Sequence, residues 1–229
     1  MKRFWKTAEA VAQHGGWGIA LDGRPLRTPA RAPLLVASEQ LARAIADEWH
    51  VQGEMVDPAA MPLTGIANAA IDLASPDTAA FAAPIAAYAE SDLLCYRDDR
   101  DAALQAEQAA AWNPLLAWAE GRHGVEFALT QGVLPVDQSP ATVAALQRAV
   151  HALDPFRLAA LAPLVTIGGS LVAGLALTEG AFDAEALWQA VSLDELYQER
   201  RWGADSEAQA MRAHREADWH NAARFLTLL

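Results

Sequence analysis

Trp17-Gly-Ile-Ala-Leu-Asp-Gly-Arg-Pro-Leu-Arg-Thr-Pro29, followed by Pro33-Leu-Leu-Val-Ala37, decides the fold class, because it is the one concentrated β signal in this chain. Trp17–Leu21 reads as a short strand. Asp22-Gly23 is a strong hairpin signal, since both residue types tolerate the positive φ angles of a two-residue turn. Leu26–Thr28 is the expected return strand, ended by Pro29, and Pro33–Ala37 supplies a third. Prolines at 25, 29 and 33 restrict these to edge or short strands, because proline donates nothing to a ladder. A sheet this small needs a helix against it to be stable.

Helical patterning begins at once on the C-terminal side. Ser38 is placed to cap a helix through about Val51, with Leu41, Ile45, Glu48 and Trp49 near one face and Gly53 as the stop. A second helix is expected over Met61–Leu73 and a third from Thr78, with Pro84 in its first turn or at a kink. Beyond Asp101 the pattern is mainly helical. A helix over Asp101–Trp112 runs into Asn113-Pro114, a kink or a junction, and continues to Gly121, and Val125–Leu129 is one later strand candidate. Ser139-Pro140 opens a helix with proline at its first position, and five more follow: 155–164, 168–179, 183–191, 193–202 and about 205–226. The expectation is an α+β protein: a small N-terminal α/β domain with an antiparallel sheet over residues 1–85, then a mainly helical C-terminal domain over 86–229.

Composition narrows the functional classes. The hydrophobic fraction of 53% is high, but much of it is alanine, which favours helix rather than a bilayer. The most apolar stretch, Leu158–Thr178, is interrupted by Pro163, Gly168, Gly169 and Gly174, so no membrane insertion is expected. Met1-Lys-Arg-Phe-Trp-Lys is basic but leads into no apolar signal core, and Cys95 is the single cysteine. A bacterial cytoplasmic monomer without signal or transit peptide is expected. The net charge of −12 argues against nucleic-acid binding, which requires basic patches.

Each candidate for chemistry has a plainer reading. Gly168-Gly169-Ser170-Leu171-Val172 lacks the final glycine of a nucleophile elbow and the Gly-Lys of a phosphate loop. Its small residues suit close helix packing. Cys95 lies in an apolar segment without a cysteine-hydrolase pattern. His214 with Asp218, and Glu216 with His220, have the i,i+4 spacing of a metal pair, but spacing supplies no third ligand. Neither a cofactor nor a metal is expected.

Leu193-Asp-Glu-Leu-Tyr-Gln-Glu-Arg-Arg-Trp-Gly-Ala-Asp-Ser-Glu207 is the segment of interest that remains. Ser192 and Glu195 have the spacing of a capping box, and Gly203 a stop. Trp202 is surrounded by Arg200, Arg201, Asp205 and Glu207, a composition typical of interface anchors as well as of cores.

Lys2-Arg-Phe-Trp-Lys, Leu21-Asp-Gly-Arg-Pro-Leu-Arg-Thr-Pro, Ala46-Asp-Glu-Trp with Gln52 and Met61-Pro-Leu-Thr are followed by Asp92-Leu-Leu-Cys-Tyr-Arg and Gln108 with Trp112-Asn-Pro. Gly169-Ser-Leu and Asp194-Glu-Leu-Tyr-Gln with Trp202-Gly complete the series. In this order they resemble one family: the assembly chaperones that bind the alpha subunit of F-type ATP synthase in mitochondria and alphaproteobacteria. The resemblance implies the two-domain α+β fold, no catalysis, and the free alpha subunit as partner. It implies functional acids near Tyr197-Gln198 and Trp202-Gly203, and Asp205 and Glu207 both qualify for the acid after Trp-Gly. The expected partner-binding set is Glu195, Tyr197, Glu199, Arg201, Trp202, Asp205 and Glu207. The rival readings are an enzyme with a non-standard site between the domains, using Cys95, Ser170 or scattered acids, and a general holdase.

Overall fold

A computed structural model describes residues 1–132 and 134–229, and its fold is α+β, with an N-terminal antiparallel sheet and a mostly helical remainder. The chain divides into two compact units. The first comprises Met1–Phe81, Asp154–Ala160 and Asn221–Leu229; the second comprises Ala82–Leu153 and Leu161–His220. The observed division differs from 1–85 and 86–229 in a boundary four residues earlier, after Phe81, and in two late segments that belong to the first unit. Their apolar side chains explain the difference: Phe156, Ala160, Phe225, Leu226, Leu228 and Leu229 all join the core of that unit.

In the first unit the central strand is β2 (Gly16–Leu21). It pairs with β1 (Ala8–Gln13) over six positions, from Ala8 opposite Leu21 to Gln13 opposite Gly16. Composition conceals β1, since Ala-Glu-Ala-Val-Ala-Gln favours helix by propensity and only Ala8 and Ala10 lean on the core. Asp22 (φ 48°) and Gly23 (φ 75°) form the expected two-residue turn. The return strand comes earlier than expected, because so tight a turn puts Arg24 opposite Leu21 at once: β3 is Arg24–Pro25, and only the Leu26 N–H to Ile19 carbonyl bond (2.7 Å) extends it. β4 (Leu35–Val36) pairs with Trp17 and Gly18 on the same strand.

Ser38 caps α1 (Glu39–His50), accepting from the Leu41 N–H at 3.3 Å. This helix buries Leu41, Ala42, Ile45 and Trp49 with Ile19, Leu21 and Val36 of the sheet. It ends at Val51, ahead of the expected stop at Gly53. α2 (Pro62–Ala69) has no cap from its own N-terminal residue. Glu48 of α1 supplies one: its carboxylate accepts from the Leu63 N–H (2.7 Å), the Thr64 N–H (2.8 Å) and the Thr64 hydroxyl (2.7 Å). Burial pushes the Glu48 carboxyl up, and the bonds from Thr64 and Leu63 oppose the shift. A π-helical turn, Ala70–Ala74, and α3 (Thr78–Ala86), with Pro84 inside it, follow. Near the N-terminus, Trp5 donates to the Trp49 carbonyl (3.1 Å), and Arg3 to the Gln52 carbonyl.

The second unit is built on α4 (Ala102–His123), capped by Asp101, which accepts from the Ala103 N–H at 3.0 Å. The helix continues through Asn113-Pro114 as expected, without a junction there. Proline inside a helix costs about 3 kcal/mol, but Trp112, Leu115 and Leu116 are all buried here, and the Trp112 indole donates to the Ala190 carbonyl (2.7 Å). Val125–Leu129 is not a strand; β6 is Thr130–Gln131, paired in parallel with β5 (Tyr96–Arg97). The remaining helices are α5 (Pro140–His151), α6 (Pro155–Gly168), α7 (Leu171–Thr178), α8 (Ala184–Val191), α9 (Leu193–Trp202) and α10 (Ser206–Thr227). Close packing explains Gly168 and Gly174, whereas Gly169 takes a positive φ of 66°. A Cβ on Gly168 would lie 2.9 Å from the Trp219 ring, and one on Gly174 would lie 2.7 Å from Leu161.

Asp92, almost fully buried, joins two helix starts in this unit. It accepts from the Leu94 N–H (3.0 Å) and from the Val172 N–H (2.9 Å) at the first turn of α7, and burial pushes its carboxyl up. Among the described residues no helix is long and apolar enough to cross a membrane.

Glu48→Ala leaves the Leu63 and Thr64 N–H groups without an acceptor, a loss of about 2–3 kcal/mol. It is expected as a lower urea midpoint for unfolding at neutral pH. Glu48→Gln retains one acceptor oxygen and should fall between this variant and the parent.

Candidate functional site

α9 and α10 are joined by Gly203-Ala204-Asp205, and the two helices form a groove of about 400 Å³. Asp205 starts α10, its carboxylate accepting from the Ala208 N–H (2.8 Å). Two ion pairs span the helices: Glu195 with Arg215, and Glu199 with Arg212, the latter carboxylate also held by Gln209. These bonds, the Gln209 contact first, hold the Glu199 carboxyl below the usual range. Trp202 (73% exposed) and Met211 (62% exposed) add two large apolar side chains.

Of the seven residues expected to bind a partner, Glu195, Glu199, Trp202 and Asp205 line this groove. Tyr197 and Arg201 turn toward α4 instead: the Tyr197 hydroxyl donates to Asp101 (2.8 Å), and Arg201 pairs with the same carboxylate. Arg200 pairs with Glu107 on α4. Glu207 is exposed in the first turn of α10 and is not part of the lining. The expected capping box does not form. Ser192, at the end of α8 with φ −95° and ψ 4°, lacks the extended backbone of a capping residue and makes no side-chain cap, and Glu195 extends to Arg215 rather than back to the helix start. Gly203 ends α9 with φ 93°, but ψ 161° takes it outside the left-handed helical conformation.

The α10 wall of the groove was not anticipated. Ala208, Met211, Arg212 and Arg215 line it. Their i, i+3, i+4, i+7 spacing is a face signal that the sequence does carry.

The two groups on which an enzymatic reading relied have structural roles. The Cys95 thiol is buried and pushed up to about 12, chiefly by burial and then by Asp92 nearby. Ser170 is buried as the cap of α7, accepting from the Ala173 N–H at 3.0 Å.

Charge is distributed unevenly. The first unit holds nine Lys/Arg against ten Asp/Glu, whereas the second holds eight against nineteen, so eleven of the twelve net negative charges belong to the second unit. Such a field steers basic partners toward it.

A family model described as the ATP12 chaperone protein matches residues 2–120. The chain belongs to the ATP12 chaperone family. Atp12 from Paracoccus denitrificans has the same fold at 44% identity and TM-score 0.93, covering 99% of this chain and 97% of that one. An aspartate-to-lysine mutant of P. denitrificans Atp12p matches equally well. Protein atp12, mitochondrial, from Schizosaccharomyces pombe is 26% identical over 219 residues, covering 90% of this chain and 75% of the yeast protein. The motif resemblance therefore holds. The family model ends before α9, and the likeness to the solved structures includes it.

The Asp101 carboxyl is held below its ordinary value, first by the Tyr197 hydroxyl and further by backbone N–H groups and Arg201. A lowered folded value means that its contribution to stability is present above the unfolded value, about 3.9, and is lost as pH falls through the folded one. Asp101→Asn should therefore be less stable than the parent at pH 7. That gap should close on acidification below about pH 4, as measured by urea midpoints across the pH range.

Proposed function

We propose that this member of the ATP12 chaperone family serves ATP synthase assembly by holding the free alpha subunit until the beta subunit replaces it, and that the α9–α10 groove is the contact. The exposure of Trp202 carries this reading. An indole left largely in water, beside Met211 and flanked by fixed charges, has the make-up of a binding anchor rather than of a core residue. The family membership supports an assembly role.

The physical task is consistent with the surface. An unassembled subunit exposes apolar area that aggregates, and a holder that must later release it needs a small apolar anchor with a polar rim. The ion pairs Glu195–Arg215 and Glu199–Arg212 supply the rim and keep the two helices in register. The acidic field of the second unit favours a basic approach surface on the client. Glu207, exposed beside the turn, belongs to that field rather than to the groove wall.

Purified alpha subunit should be captured by the parent protein. Trp202→Ala should bind it at least roughly tenfold more weakly, as loss of an interface tryptophan commonly does. Glu207→Lys should slow association, with a steeper effect at low salt. Far-ultraviolet circular dichroism should be unchanged in both. Parental affinity in the correctly folded Trp202→Ala protein would remove the groove from the interface, and failure of the parent itself to retain alpha subunit would remove the partner.

A further inference from the structure

The i,i+4 pair Glu216–His220 on α10 acquires from the fold what sequence spacing does not provide, a third donor. Glu185 on α8 reaches the same point: its carboxylate lies 3.2 Å from His220 Nε2, and one donor atom from each of the three residues lies within 4.8 Å of the others.

Zn2+ bound to nitrogen and oxygen at about 2.1 Å in tetrahedral geometry separates its ligand atoms by about 3.4 Å. The His220–Glu185 pair already stands at that spacing. Glu216 is only partly buried, and its donor atom, within 4.8 Å of the other two, reaches ligand spacing by a side-chain rotation. An ordinary ion pair explains one carboxylate beside the imidazole and leaves the second unexplained. Among the described residues neither Glu185 nor Glu216 pairs with a lysine or arginine, so two carboxylates lie near one imidazole with no such cation to balance them. That is an arrangement a divalent cation stabilises.

The surroundings hold the donors in place. Trp219, fully buried and adjacent to His220, donates from its indole to the Ala184 carbonyl (3.0 Å), adjacent to Glu185. That bond fixes α8 and α10 in register at the residues that carry the donors. Gln189 donates to the other oxygen of Glu185 (2.8 Å), orienting the carboxylate as an outer-shell partner would.

We propose that Glu185, Glu216 and His220 form a binding site for a Zn2+-class transition metal ion, with water completing the coordination. The imidazole selects against Mg2+ and Ca2+, which prefer all-oxygen sites. The site is separate from the client groove and independent of the proposed function. His214 and Asp218, the other i,i+4 pair, acquire no third donor among the described residues.

Tag-free protein, stripped with a chelator, is titrated with Co2+ alone at neutral pH and followed by visible absorption and calorimetry. One Co2+ per chain is expected, with d–d absorption that Zn2+ abolishes by displacement. His220→Ala and Glu185→Ala should each weaken binding roughly a hundredfold. Glu216→Gln, which keeps the shape and removes the charge, should weaken it clearly, and His214→Ala should leave it unchanged. Near-ultraviolet circular dichroism confirms the packing of Trp219 in every variant. Failure to bind Co2+ stoichiometrically, or binding equal to the parent's in folded His220→Ala, overturns the proposal.

Discussion

A helix that starts inside a core presents backbone N–H groups that water cannot reach, and this protein answers that constraint with interior carboxylates. Glu48 on α1 accepts three bonds at the start of α2, whose own first residue offers no cap. Asp92 does the same for α7 and for the short turn after itself. In each case desolvation raises the carboxyl and bonds from the backbone oppose that rise. An orphaned N–H in such a place costs about 1–3 kcal/mol, so the acceptor and the helix start have to occur together.

This accounts for the character of the motifs through which the chain resembles its family. Asp92 and Gly169-Ser-Leu meet directly, since the Leu93 N–H donates to Gly169 and Asp92 accepts from Val172. Gln108 accepts from the Asp98 N–H and donates to Asp194, and Trp112 donates to Ala190. Asp22 accepts from the N–H groups of Lys6 and Thr7. Most of the motif residues therefore hold the fold together. The last motifs differ, since Glu195, Gln198, Trp202 and Gly203 line the groove, where Trp202 and Met211 remain exposed because the charges around them keep the patch small and wet.

Local signals were readable wherever one residue's own chemistry decided the outcome. Ser38, Asp101 and Ser139 cap the helices they precede, and Asp22-Gly23 turns the chain as its φ preferences demand. Legibility failed where packing outweighed local preference. β1 is half alanine and is a strand because β2 lies beside it. Ser192 and Glu195 have capping-box spacing, and Arg215 takes the glutamate. At the groove, Glu195, Glu199, Trp202 and Asp205 were named from the sequence, whereas Met211, Arg212 and Arg215 were not, although their spacing marks one helix face.

The sequence by itself determined the fold class, nearly every helix, the hairpin turn and the family, because periodicity, capping residues and ordered motifs are all properties of neighbours along the chain. Only the tertiary structure decided which charges face each other. It sent Tyr197 and Arg201 to Asp101, paired Glu195 and Glu199 with arginines of α10, and brought Glu185 to Glu216 and His220. Contacts between side chains on separate helices depend on helix register and rotation, which are set by the packing of the whole unit and leave no mark in the spacing of the residues concerned.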